Sequence, residues 1–289
     1  MPIIPPALVL GVGMVAVSTA STFIRLAQGS VTSLAVAAWR LTIASALLAP
    51  FALTSCLREW RRLDARSWRW LGLSGIMLAI HFYTWIVSLE ATSVAASTVL
   101  VSTNPLFVAL FTYLVWRRRP ARQMLVGIAI AVAGSAVIAL GDWRTGAHQL
   151  TGDLLALAGA ASVAVYILIG RRQREQLSLL GYIFPVYGTA ALTLMLVALV
   201  TGVPLTGYPA QAWLWLALLA IFPQIIGHSS YNWALGHLPA IYVALAVLAE
   251  PIGSTLLAWI ILNEPPTLLT VAGGVLILTG LVIGMRRTQ

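Results

Sequence analysis

A chain of 289 residues that is 60% hydrophobic and only 9% charged is not soluble in composition, since soluble domains carry charge on about a quarter of their residues. All the basic residues behind the net charge of +9 are arginines, most of them between apolar runs and not on one face of a folded domain, which excludes a nucleic-acid-binding module. The single cysteine, Cys56, excludes an intrachain disulfide and a cysteine-rich metal site.

Apolar runs long enough to cross a bilayer, about 20 residues each, recur along the whole chain. They are read at 5–27, 31–53, 70–90, 93–116, 122–140, 151–171, 179–201, 211–233, 240–262 and 266–285. The first has no basic residue before it and is too long for a signal core, so a retained span is expected. The second carries Arg40, near enough to a helix end to snorkel, with carboxylate binding as the other reading. The third holds His81-Phe82-Tyr83-Thr84-Trp85, in which His81 and Trp85, four apart, share a helix face.

The fourth run begins with Ser93, Ser97, Thr98, Ser102 and Thr103 and then reaches Asn104-Pro105. A proline there removes one helix hydrogen bond and crowds the carbonyl four residues back. The hydroxyls either satisfy the freed backbone or line a wet path. His148 and Asp153 are placed in a loop without metal-ligand spacing, and Tyr166 follows in the sixth run. The eighth contains His228-Ser229-Ser230-Tyr231-Asn232-Trp233, with His228 and Tyr231 on one face. The ninth begins near Tyr242 and is interrupted at Glu250-Pro251. Gly127, Gly134, Gly273, Gly280 and Gly284 permit close helix approach in the fifth and tenth runs, and only weakly suggest a dimer.

Arginines cluster after runs of even number: Arg58, Arg61, Arg62, Arg66 and Arg69; Arg117, Arg118, Arg119 and Arg122; Arg171, Arg172 and Arg174; Arg286 and Arg287. The other side has little beyond Arg25 and Arg144. By the positive-inside rule this predicts a multi-pass membrane protein with both termini cytoplasmic.

The chain also repeats itself. Gly13 pairs with Gly159, Arg25 with Arg171, Pro105 with Pro251, Pro120 with Pro266, Gly127 with Gly273 and Gly134 with Gly280, each 146 apart. Tyr83-x-Trp85 pairs with Tyr231-x-Trp233 at 148. Residues 1–146 and 147–289 are therefore read as two repeats of five helices. Because five is odd, the second enters the membrane upside down. The predicted fold class is an all-α polytopic membrane protein, ten transmembrane helices as a five-plus-five inverted repeat. Paired broken helices in such halves point to a transporter's site near the midplane, with Pro105 and Pro251 as hinges.

Polar-tipped aromatics at that depth need partners. They line either a cavity for an amphipathic solute or an interhelical hydrogen-bonded contact. The expected substrate-binding set is His81, Tyr83, Trp85, Ser97, Asn104, Tyr166, His228, Tyr231 and Glu250. A carboxylate such as Glu250 at the bilayer centre costs roughly 2.5–3.5 kcal/mol. It could exchange a proton, bind a substrate's amino group, or cap broken backbone. No HExxH, GxSxG or GxxxxGK[ST] occurs, so no enzyme, metal or cofactor is expected. A channel is disfavoured by the apolar, aromatic centre.

The stretch Tyr231-Asn232-Trp233-Ala234-Leu235, Glu250-Pro251, Asn263-Glu264-Pro265 and Gly273, Gly274 and Gly280 resembles EamA-type ten-helix members of the drug/metabolite transporter superfamily. A weaker copy runs from Tyr83 through Asn104-Pro105 to Gly127 and Gly134. Among these proteins the chain looks most like bacterial aromatic amino-acid exporters. The resemblance implies a protein of the bacterial cytoplasmic (inner) membrane that exports small metabolites, often amino acids. The inverted repeat leads to an expectation of alternating access, and the glycine spacing to a monomer or weak homodimer. Efflux of another solute class, such as cationic drugs, is the alternative, with a membrane-embedded enzyme a remoter one. Glu264 has no first-half counterpart, Arg117-Arg118-Arg119 standing there instead, and it reads as a helix cap.

Overall fold

In lipid every backbone N–H and C=O must be satisfied within its own segment, so an apolar chain of this kind folds as helices. A computed structural model describes residues 5–117, 122–143, 147–234, 237 and 250–285. Tyr242, the rest of 240–249, Pro120 and the arginines at 118, 119, 144, 286 and 287 lie outside the described residues.

In the first half, α1 (Pro6–Ser18) and α2 (Ala20–Gln28) make the first span and α3 (Ser33–Ser55) the second. After a short α4 (Leu57–Trp60), α5 (Ala65–Ala91) is the third, α6 (Val94–Val101) with α7 (Asn104–Trp116) the fourth, and α8 (Arg122–Trp143) the fifth. In the second half, α9 (Ala147–Gln173) and α10 (Leu179–Val200) are followed by α11 (Ala210–Leu219), a π-helical segment (Ala220–His228) and α12 (Ser229–Ala234) as one span. α13 (Glu250–Leu262) and α14 (Leu268–Met285) complete the set. Seven of these spans are long and apolar enough to cross a membrane on their own, and three shorter apolar helices fill the remaining places. Because α9 begins at Ala147, His148 and Asp153 lie in its first turns, not in a loop.

Spans start where a polar side chain can satisfy an orphan N–H. Asp64 accepts from Ser67 N at 2.8 Å, Ser93 from Ala96 N at 3.1 Å and Ser178 from Gly181 N at 3.0 Å.

Packing repeats across the two halves. α5 lies against α9 as the π segment and α12 lie against α1. α3 packs on α10, α6 on α13 and α8 on α14. Exchanging each span for its counterpart five places along turns this set of pairs into itself, as two copies about a two-fold axis require. The α8–α14 crossing is the closest approach: a Cβ on Gly134 would lie 2.6 Å from the Gly273 carbonyl oxygen, and one on Gly280 would lie 2.7 Å from Ala131 N. The glycine stripe is thus occupied within the chain, as small residues at helix interfaces permit.

Among the described residues three spans are interrupted. In the fourth, helix ends at Val101 and restarts at Asn104. Pro105 sits in the first turn of α7, where its missing N–H costs nothing, and the break falls just ahead of it. Pro251 lies in α13. The first span breaks at Thr19 without any proline; its N and Oγ1 both donate to Ala16 O, at 3.3 and 2.7 Å. Here α13 presses in: Ser254 donates to Ser18 O at 3.2 Å, and a Cβ on Gly253 would lie 2.7 Å from Ser18 Cβ. In the eighth span the π segment takes up Pro223, a widening often found where a helix carries function.

Candidate functional site

The arrangement is built around Arg40. It stands seven residues into α3, so about 10 Å from that helix's start at 1.5 Å per residue, and it is 0% exposed. Snorkelling is therefore not what Arg40 does. The reason lies in its neighbours: the guanidinium carbon packs 4.0 Å from the Phe82 ring centroid, and Nε donates to Gln224 Oε1 at 2.8 Å. The ring holds the guanidinium plane and Gln224, set inward by the π segment, fixes its edge. The two terminal nitrogens, carrying four N–H donors, have no hydrogen-bond partner.

Phe82 leads to the rest. His228 meets it edge-on at 5.3 Å, and Tyr231 meets His228 at 6.4 Å. Arg40, Phe82, His228 and Tyr231 thus form a circuit of contacts drawn from α3, α5, the π segment and α12. Glu250, 8% exposed, is the buried carboxylate of α13. Among the described residues Glu250 makes no ion pair with Arg40; the pair found there is Arg25–Glu264.

His81 and Trp85 lie beside this circuit. Their rings stack at 6.0 Å with 11° between planes. His81 Nδ1 donates to Gly159 O at 2.9 Å, and Gly159 leaves room for that approach from α9. The Trp85 indole N–H and the Tyr231 hydroxyl are buried without partners. Tyr166 joins from α9, its hydroxyl accepting from Asn232 Nδ2 at 2.9 Å.

The structure therefore brings together His81, Trp85, Tyr166, His228, Tyr231 and Glu250. It does not bring in Tyr83, which is 40% exposed on the other side of α5. Two residues apart on a helix, Tyr83 and Trp85 cannot share a face. Ser97 is buried but shares a hydrogen bond with Ser88 at 2.6 Å, tying α6 to α5. Asn104 donates to Val101 O at 3.3 Å and closes the break in its own span. Phe82 and Gln224 were not among the expected residues. Gln224, a polar residue in an apolar run next to Pro223, was the signal available.

Away from the centre, an open apolar groove of about 330 Å³ between Trp60, Trp68, Phe184 and Leu192 shares no residue with the circuit. Glu264 does act as a cap, though of another helix: its carboxylate accepts from Val94 N at 2.7 Å, at the start of α6. Among the described residues no group of His, Cys, Asp and Glu is placed to hold a metal ion.

Known proteins resemble this chain in sequence and in fold. An uncharacterized transporter of Archaeoglobus fulgidus is 28% identical over 273 residues, 93% of this chain and 94% of that one. A protein of Streptantibioticus cattleyicolor named "Probable terminal-alkyne amino-acid exporter" is 27% identical over 255 residues, 86% of this chain and 82% of its own. A solved crystal structure superposes with a TM-score of 0.67 at 22% identity, covering 96% of both chains, which shows the fold. The EamA-like transporter family matches residues 5–140 and again 150–285. Two family copies spanning almost the whole chain, over ten paired spans with a buried polar centre, establish that this protein belongs to the EamA-like transporter family.

Proposed function

We propose that this transporter exports small metabolites from the bacterial cytoplasm across the inner membrane, and that its substrates are neutral, chiefly aromatic, amino acids. The observation carrying this reading is the buried circuit between the two repeats. It offers ring faces from Phe82, Trp85 and Tyr231 together with charged and hydrogen-bonding groups that lack partners. Unpartnered donors in a low-dielectric centre are costly, and a solute with an aromatic body and a polar head would relieve that cost. The Streptantibioticus cattleyicolor relative, an amino-acid exporter by name, supports the substrate class. A cationic drug fits less well, because the free Arg40 guanidinium would repel it.

Alternating access follows from the fold's symmetry. Breaks at Thr19, Ser102–Thr103 and the π segment let half-helices tilt about the centre while the outer halves stay packed, with Pro105 and Pro251 at the half-helix starts as the hinges. The arginine-rich loops support a cytoplasmic position for that end. The test is counterflow in proteoliposomes of purified protein with a panel of amino acids. Saturable exchange of aromatic amino acids supports the reading, and large currents or product formation in place of exchange would replace it.

A further inference from the structure

Two ionisable side chains are buried in the centre, Arg40 from the first repeat and Glu250 from the second, and no ion pair joins them among the described residues. The Arg40 guanidinium is fully buried, flattened against Phe82 and tethered through Nε, with both terminal nitrogens free. That edge is the planar fork that fits a carboxylate with two parallel hydrogen bonds. Glu250, also buried, forms no ion pair with Arg40 and has no hydrogen bond among the described residues. The Tyr231 hydroxyl is likewise buried without a partner among them. A buried charge left unpaired is strongly unfavourable, whereas a paired and hydrogen-bonded one is tolerated.

We propose that Arg40 and Glu250 form a zwitterion clamp: Arg40 takes the substrate's carboxylate and Glu250 takes its ammonium. This rests on the amino-acid reading above and deepens it, since an α-amino acid carries both charges a few bonds apart and would complete both partners at once. The clamp also explains why the two charges come from different repeats. Arg40 lies on α3 of the first and Glu250 on α13 of the second, so the bound solute bridges the halves that must move during transport. An amine without a carboxylate leaves Arg40 bare, and an acid without an amine leaves Glu250 bare. Both should be rejected, as a site built for a polar group rejects analogues lacking it.

The experiment compares four probes by thermal stabilisation of the purified protein in detergent and by inhibition of counterflow in proteoliposomes. They are L-phenylalanine, L-phenylalanine methyl ester, phenethylamine and N-acetyl-L-phenylalanine. On the unaltered protein, the three analogues are expected to bind at least about tenfold more weakly than the amino acid. Arg40→Gln should lose the preference for acid over ester while keeping that for the free amine over the N-acetyl form. Glu250→Gln should show the reverse. Arg40→Lys, with charge but no fork, should keep part of the acid preference. A residue that merely holds helices together would lower affinity for all four alike and would not produce this crossed pattern. The clamp is overturned if ester or phenethylamine binds the unaltered protein as well as phenylalanine, a comparison that stands even if a variant does not fold. It is overturned too if Arg40→Gln keeps the acid-over-ester ratio. If no amino acid at all exchanges, the substrate reading itself has failed, which is a distinct result.

Discussion

Arg25 and Glu264, from opposite repeats, meet in an ion pair of 2.9 Å, and the same carboxylate accepts from Val94 N at 2.7 Å. One side chain thereby ties the end of α2, the start of α6 and the α13–α14 junction together at one end of the bundle. At that end Gln28 also donates to Ile86 O at 2.8 Å, and Ser33 bonds Glu90. The pair is 30% and 23% exposed, so the ion pair itself is worth about 0.2–1 kcal/mol. Removing the cap from α6 costs about 1 kcal/mol more. Glu264→Ala is expected to lower stability in a detergent melt by about 1–2 kcal/mol. It should also raise thiol reactivity of a Ser93→Cys reporter, because three spans lose their common tie. A reporter that reacts at an unchanged rate would show that this end is held elsewhere.

Trp85 presents a ring already stacked on His81, with its N–H unpartnered. Ring–ring contact contributes about 0.5–1.5 kcal/mol beyond burial, roughly two- to tenfold in affinity. Trp85→Ala should therefore raise KM for tryptophan and phenylalanine by that much relative to alanine. Equal loss for large and small substrates would mean that the ring serves packing alone.

The α8–α14 crossing has no slack. The atoms facing Gly134 and Gly280 include the backbone of Gly273 and Ala131, which cannot swing aside. Gly134→Leu or Gly280→Leu should destabilise the protein by about 1–3 kcal/mol or more. The same change at Gly188, where a Cβ meets nothing within 4 Å, should be nearly neutral. Denaturation in detergent measures both, and similar losses at Gly188 and Gly134 would contradict the account of the crossing.

At the arginine-rich end the Asp64 cap gives a pH signature. Hydrogen bonds from Ser67, side chain and backbone, hold its carboxyl below the ordinary value of 3.8. A carboxyl depressed in the folded state adds stability above its ordinary value and loses it as pH falls through the folded one. The benefit should therefore be complete above pH about 4 and fade in more acid solution. Asp64→Asn keeps an accepting oxygen but does not titrate. Melting followed from pH 5 downward should show a steeper decline for the unaltered protein than for this variant. Because Asp64 is fully exposed, the difference is expected to be small.

Much of this was legible in the residues because lipid narrows the choices. Apolar length alone marks the spans, and Asn104-Pro105 marks a break to within two residues. His81 with Trp85, and His228 with Tyr231, follow from helical spacing. What was not legible depends on partners. Whether Arg40 snorkels or is sealed in depends on Phe82 and Gln224, one from another helix and one from a π segment with no firm sequence signature. The break at Thr19 comes from the approach of Gly253 and Ser254, 234 and 235 positions on, and local propensity does not show it. Tyr83 entered the expected set because it belongs to a repeated aromatic motif, although its spacing from Trp85 places it on the opposite face.

Opposed orientation of the two repeats gives the most direct test of topology. Ser30 follows the first span and Gln176 follows the sixth; they are 146 positions apart, equivalent in the repeat, and both exposed. In an inverted pair they must open to opposite sides, with Gln176 on the side of the arginine-rich loops. Cys56 is buried against Ser178, so Cys56→Ser provides a background for single reporters. In intact spheroplasts a membrane-impermeant maleimide should label Ser30→Cys and spare Gln176→Cys, and inverted vesicles should exchange the two results. Labelling of both from one side would mean that the repeats lie parallel, and the symmetry argument for alternating access would then fail. Both reporters inverted together would instead keep the repeat and reverse only its orientation, which would oppose the positive-inside rule and the assignment of export.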